Sequence, residues 1–329
     1  MDRRDFLAYS GAALGALAQQ WAHLDAASAA PGRGSSAVGA ADVGWLEETG
    51  SRLTGLVTEQ RQYAAQLLDA HLATVTDLIE QGRYEAGVGL RLHRLGASLS
   101  QAVGWHRFDQ GQHAAAARFW HGALHGAQAA GDRDMGAGVL SDLAYQTTWL
   151  GDPRTAVDIL GHTVRRTRHP AARSLLHLRL ARAQAATGDA AGSRGSLAAA
   201  ERAWAEAGAH PDPAPAWCAW MSDADLAVDS GRCLLDAGDV RGALRLMDEG
   251  ARLLPGARAK TRAVFLTYEA DAHLRAGEID RAAVTARESL ELARRIGAPR
   301  CLALVRGLGP GFVPHGGVAG VDALLVGMG

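Results

Sequence analysis

His121 and His125 stand four residues apart, and His113 lies eight residues before the first of them. On a helix this spacing carries three imidazoles along one side, and a histidine pair at i and i+4 is an arrangement that can hold zinc. No glutamate follows His121, so the H-E-x-x-H pattern of the zinc proteases is absent. In a chain with 13 histidines, the plainer reading is a set of groove-rim or partly buried side chains. No metal is expected.

Other sequences with a chemical outline fall short in the same way. Gly256-Ala257-Arg258-Ala259-Lys260-Thr261 has the outline of a phosphate loop, but Ala259 stands where that loop needs glycine, and no strand precedes it. Gly309-Pro310-Gly311 and Gly316-Gly317 lack a following Lys-Ser/Thr pair and read as a loose tail. There is no Gly-x-Ser-x-Gly elbow for a hydrolase serine. A non-enzymatic protein without a cofactor is the expectation. The densest basic cluster, Arg165, Arg166, Arg168 and His169, falls just before Pro170, where cations complement the C-terminal end of a helix.

Composition narrows the class further. The formal charge is 34 − 35 = −1 over 329 residues, and Lys260 is the sole lysine. Such a balance gives no bulk attraction for a polyanion, so direct nucleic-acid binding is not expected. The three cysteines, Cys218, Cys233 and Cys301, form no C-x-x-C pair and no disulfide framework, which suits a reducing compartment. No apolar run reaches the length of a membrane span.

Residues 1–44 stand apart from the rest. MDRRDFL, a weakly apolar stretch over 7–18 and Ala27-Ser28-Ala29 follow the order of a twin-arginine export signal with its cleavage site. The alternative is an amphipathic anchor in which Phe6, Leu7, Leu14, Leu17 and Trp21 pack on the following domain of a cytoplasmic protein. A Gly/Ser/Ala/Pro linker then leads to a repeat domain over 45–306, and a short cap over 307–329 ends the chain.

From Trp45 onward apolar residues recur at i, i+3, i+4 and i+7, prolines fall near boundaries, and no strand pattern occurs. Turn glycines recur at Gly82, Gly111, Gly151, Gly188, Gly238 and Gly277. Aligned on the last five, the position seven before the turn holds Gly104, Ala144, Ala181, Gly231 and Ala270. Five after it come Ala116, Ala156, Ser193, Ala243 and Ala282, and twelve after it Ala123, Thr163, Ala200, Gly250 and Ser289. All fifteen are small. Nine after the turn, Trp120, Leu160, Leu197 and Met247 are large, and Ala286 departs from the pattern. Helices that cross about 8–10 Å apart require small residues at the crossing and large ones between crossings.

This register resembles the tetratricopeptide repeat, in which helix A ends at the turn glycine and helix B returns. Pro255, 17 residues after Gly238, stands at that repeat's closing proline. The resemblance spans about 94–297, with a degenerate sixth hairpin around Gly82 and helical caps at 45–80 and 298–306. It implies an all-α fold, a right-handed α-solenoid whose A helices line a concave groove. It also implies that residues six and three before the turn face the groove: Trp105 and Phe108, Tyr145 and Thr148, Arg182 and Ala185, Arg232 and Leu235. Asp109, Trp149 and Asp225 lie close to the same surface. Rings at the first two hairpins would supply buried area, and Arg182 or Arg232 a carboxylate clamp.

Two stretches, 102–160 and 213–239, further resemble the sensor half of actinobacterial helix-turn-helix (XRE-type) transcriptional regulators, and the DRRxFL…GAAL…W order over 2–21 resembles the segment that joins the DNA-binding domain to the repeats in that family. The helix-turn-helix itself has no counterpart in the sequence. The resemblance implies a regulatory protein whose groove binds a peptide, a protein partner or a small signal. The other possibility is an exported adaptor. Leu302, Leu304, Val305, Leu308, Val321, Leu324, Leu325 and Val326 make the C-terminal end apolar, to be covered by a fold-over cap or by a homodimer partner.

Overall fold

The computed structural model describes residues 38–56 and 62–329. The twin-arginine-like segment lies outside the described residues, as does most of the linker. Among the described residues the regular structure is helical, and the one β feature is an isolated bridge between Val38 and Tyr84.

Helices α1 (Ala40–Thr54) and α2 (Ala65–Gln81) lead into five helical hairpins. These pair α3 (Ala86–Asp109) with α4 (His113–Ala129), α5 (Arg133–Trp149) with α6 (Pro153–Thr163), and α7 (Pro170–Ala186) with α8 (Ala190–Ala207). The last two pair α9 (Asp223–Asp236) with α10 (Val240–Leu253) and α11 (Ala259–Arg275) with α12 (Ile279–Arg295). The short helices α13 (Pro299–Arg306), α14 (Gly309–Phe312) and α15 (Val321–Met328) end the chain.

The hairpin turns have a common chemistry. Gly111, Gly151, Gly188, Gly238 and Gly277 all adopt positive φ, the left-handed conformation that stops a helix without a Cβ penalty. At Gly151, Gly188 and Gly238 the next residue is aspartate, and Asp152, Asp189 and Asp239 each accept the backbone N–H three residues on. One helix is stopped and the next is N-capped within two residues. Gly82, Gly131 and Gly297 have the same positive φ outside the five hairpin turns: Gly131 joins the first hairpin to the second, and Gly297 joins α12 to α13. Gly82 links α2 to α3.

All fifteen small positions are buried, and so are the five residues nine after the turn. Their smallness is enforced by contact. A Cβ on Gly104 would lie 2.4 Å from the Trp120 indole, one on Gly231 2.9 Å from the Ala243 carbonyl, and one on Gly250 2.5 Å from Val228. The apolar C-terminal residues cover the last hairpin: Phe312, Val321, Leu324 and Met328 pack with Ala282, Ala286 and Leu290 of α12. The cap is built within the chain.

Candidate ligand chamber

The A helices α3, α5, α7, α9 and α11 enclose a cavity of about 790 Å³. Its wall follows a helical stripe that runs back from the turn at six, nine and thirteen residues. Trp105, Tyr145 and Arg182 line it at the first step, Arg179, Asp229 and Tyr268 at the second, and Leu175, Asp225 and Val264 at the third. These steps of three and four residues put one face of each A helix on the chamber.

Of the residues singled out by the groove register, Trp105, Asp109, Tyr145, Arg182 and Asp225 line the chamber. Phe108 does not. It is fully buried in the first hairpin's core, edge-on to Trp105 at 5.6 Å and to Trp149 at 5.8 Å. Position three before the turn points between helices, because the chamber stripe advances toward the helix N-terminus. Trp149 packs behind the wall beside Phe108, and Arg232 also stands off the lining.

The charges on this wall are largely spent on one another. Arg182 donates to Asp229 at 2.7 Å, and Arg232 is held by Asp236 and by Asp271 at 2.8 Å, so neither is the open clamp that the sequence suggests. Arg258 takes both oxygens of Asp225 at 2.7 and 3.0 Å. Arg179 donates to Asp142 at 2.7 Å while Gln101 holds the other oxygen. Burial pushes the Asp142 and Asp229 carboxyls up, against the pull of Arg179 and Arg182. Burial also pushes the Tyr268 phenol up to about 12, leaving a neutral ring under the guanidinium groups of Arg182 and Arg232 at 5.1 and 5.3 Å.

The inner end of the chamber is different. Asp109, at the end of α3, accepts Arg300 Nε at 2.7 Å on Oδ1 and Lys260 Nζ at 3.1 Å on Oδ2. Burial raises a carboxyl, but Arg300 and Lys260 outweigh it and hold Asp109 below its ordinary value. Arg300 also donates to the Tyr145 hydroxyl at 3.3 Å. At the mouth, the long connection between α8 and α9 lays Trp217 across Gly138, where a Cβ would meet the indole at 2.6 Å, and leaves Trp220 exposed on the rim.

Arg179, Asp229 and Tyr268 escape a register that reads forward from position six. The same heptad-like spacing read backward finds them. Lys260 continues the same stripe 17 residues before its turn, as do Arg94 and Asp134, whereas Arg300 and Trp217 have no such signal, because superhelix closure and a loop bring them in. The histidines do not gather: among the described residues no three His, Cys, Asp or Glu side chains are placed to hold a metal ion. His113 lies edge-on to Phe108 at 5.3 Å, and burial holds both His113 and His121 below the usual imidazole value.

The fold is an α-solenoid of tetratricopeptide-like hairpins. It is similar to a Rap protein solved in complex with Competence and Sporulation Factor, at a TM-score of 0.56 and 11% identity over 88% of this chain and 85% of that one. It is also similar to aspartyl phosphate phosphatase F from Bacillus subtilis, at a TM-score of 0.48 and 12% identity over 90% of this chain and 85% of that one. No protein-family model matches the chain, and no curated protein matches it in sequence. No helix among the described residues is long and apolar enough to cross a membrane.

Proposed function

We propose that the chain is a non-enzymatic regulatory protein that seats a peptide, a segment of a protein partner or a small signal in this chamber. The observation that carries the reading is the chamber itself: about 790 Å³ of space walled by aromatic rings and ion-paired arginines from five successive A helices. Rings supply area, and fixed charges supply orientation. The solution of a Rap protein of similar fold with Competence and Sporulation Factor bound supports a ligand-seating role for this architecture. The resemblance of 102–160 and 213–239 to XRE-type sensor regions supports a transcriptional setting in the cytoplasm. Arg3, Arg4, Phe6 and Leu7 favour the second reading, an exported binding module, and the mass of the mature N-terminus separates the two.

The test is affinity selection from a synthetic pool of random hexapeptides, with Thr261→Trp as the comparison. Thr261 lines the chamber, and an indole there projects into it and obstructs part of it. Wild-type protein retains a subset of peptides, and the variant, folded by circular dichroism, loses them. Equal retention by both proteins, or none by either, overturns peptide seating in the chamber.

A further inference from the structure

We infer that the inner end of the chamber is a carboxylate subsite, in which Arg300 and Tyr145 receive the free C-terminus of a short extended peptide. This rests on the peptide-seating reading above and gives it a direction and an end group.

A guanidinium has five N–H donors in a planar fork that matches a carboxylate. Arg300 spends Nε on Asp109 and Nη1 on the Tyr145 hydroxyl, and no hydrogen bond leads from its Nη2 to a described residue, although the side chain lines the chamber. The other chamber arginines differ: Arg179, Arg182 and Arg258 each face an aspartate of their own. Asp109 instead is shared by two cations, Lys260 and Arg300. The guanidinium is also fixed in place. Phe108 and Trp149 lie 5.7 and 5.8 Å from it, and burial that opposes its charge is overcome by Asp109, which raises its value further. Tyr145, accepting from Arg300, keeps its own hydroxyl proton to donate. A fork held by rings on one side and a carboxylate on its back edge presents a preorganised front edge to an anion.

The length of the chamber sets the size of the ligand. Arg94 at the mouth and Asp109 at the inner end both line it and stand on the same helix. Fifteen residues at about 1.5 Å each separate them by about 22 Å. An extended peptide rising about 3.3 Å per residue covers that span with six or seven residues. With the carboxylate at Arg300, the amino end reaches the mouth near Asp134, whose Oδ1 has no hydrogen-bond partner. A chain-terminal ammonium is the complement of that group.

The experiment uses the intact protein and two pools of random hexapeptides, identical except that one ends in a free carboxylate and the other in an amide. Enriched peptides are resynthesised in both forms and titrated by tryptophan fluorescence. The expected result is that the free acids bind about 10–100-fold more tightly than their amides, the range of a charge-assisted hydrogen-bonded pair. The preference shrinks in Tyr145→Phe, which keeps the ring, and collapses in Arg300→Met. If the amides bind as well as the acids, or if the preference survives Arg300→Met, the carboxylate subsite is overturned while peptide seating stands. If neither pool yields a binder, both fall together.

Discussion

Arg300 Nε meets Asp109 Oδ1 at 2.7 Å although 191 residues of chain lie between them, and Lys260 reaches the same carboxylate across 151. Repeat proteins normally touch only their neighbours, so that stability propagates from one unit to the next. Here the first full hairpin is tied to α11 and α13 at the other end. The solenoid completes a turn and closes on a buried ionic clasp. The same closure makes a chamber out of what would otherwise be an open groove, and it couples the two ends energetically.

Removing Asp109 should therefore cost more than an ordinary surface pair. Asp109→Ala leaves Lys260 and Arg300 buried without their shared carboxylate, a loss on the order of 3–5 kcal/mol. Because Asp109 is held below its ordinary value in the folded protein, its contribution is fully present above the unfolded value of about 4 and disappears as pH falls through the folded one. The clasp should stay closed from pH 5 to 8. Small-angle scattering reads the outcome directly: a radius of gyration that rises at neutral pH in Asp109→Ala supports the clasp, and an unchanged radius with unchanged urea midpoint refutes it.

Histidines give a second pH dependence with its own window. Burial holds His93, His106, His113, His121 and His177 below the usual imidazole value. A base that is harder to protonate folded than unfolded contributes stability above about pH 6.5, and that contribution is lost as pH falls. His177 is the cleanest probe, since its Nδ1 has no partner and Arg173 and Arg202 add to the effect of burial. Urea midpoints at pH 7.5 and 5.5 should differ less in His177→Leu than in wild type. Equal drops in the two proteins would remove His177 from the account.

Much of the fold is legible in the sequence because two local requirements recur. A helix stop followed by an N-cap demands Gly-Asp, as at Gly188-Asp189, and a close helix crossing demands a small residue, as at Ala181 and Ala200. Both are fixed by residues near in sequence. The chamber is legible only in part. Trp105, Tyr145 and Arg182 follow from the repeat register, whereas the meeting of Lys260 and Arg300 with Asp109 comes from closure of the superhelix, which depends on the summed small rotations of five hairpins. Arg232 shows the complementary failure. Its register position is that of a groove residue, yet Asp236 at i+4 on the same helix and Asp271 on α11 claim its donors, and the second partner, on another helix, is invisible to a one-helix pattern.

The crossing argument makes a paired prediction about glycine. Gly104→Ala puts a methyl 2.4 Å from the Trp120 Nε1, and that indole is anchored by a hydrogen bond to the Gln101 carbonyl at 3.2 Å. Overpacking against a rigid ring costs about 1–3 kcal/mol. Gly195 lies inside α8 with nothing within 4 Å of an added Cβ. Gly195→Ala should stabilise the protein by up to about 1 kcal/mol through helix propensity alone. Thermal denaturation of the two variants should move the midpoint in opposite directions. A Gly104→Ala protein as stable as wild type would contradict the crossing geometry.

The connection that carries Trp217 and Trp220 has a built-in reporter. Cys218 sits between them, buried, and burial pushes its thiol up to about 12, as it does for Cys233 in the last turn of α9. Neither presents a thiolate at pH 8 in the closed protein, so alkylation requires opening. Opening differs between the two sites. Cys218 is held by turns in an irregular connection, with its Sγ donating to the Pro215 carbonyl at 3.3 Å, whereas Cys233 is part of a helix packed between neighbouring hairpins. Local openings are less costly in such connections than in packed helices. Iodoacetamide at pH 8, followed by peptide mass mapping, should therefore modify Cys218 well before Cys233, and a peptide seated in the chamber should slow only the first. Simultaneous labelling of both thiols would mean that the connection opens only when the whole solenoid does, and that entry to the chamber is not through it.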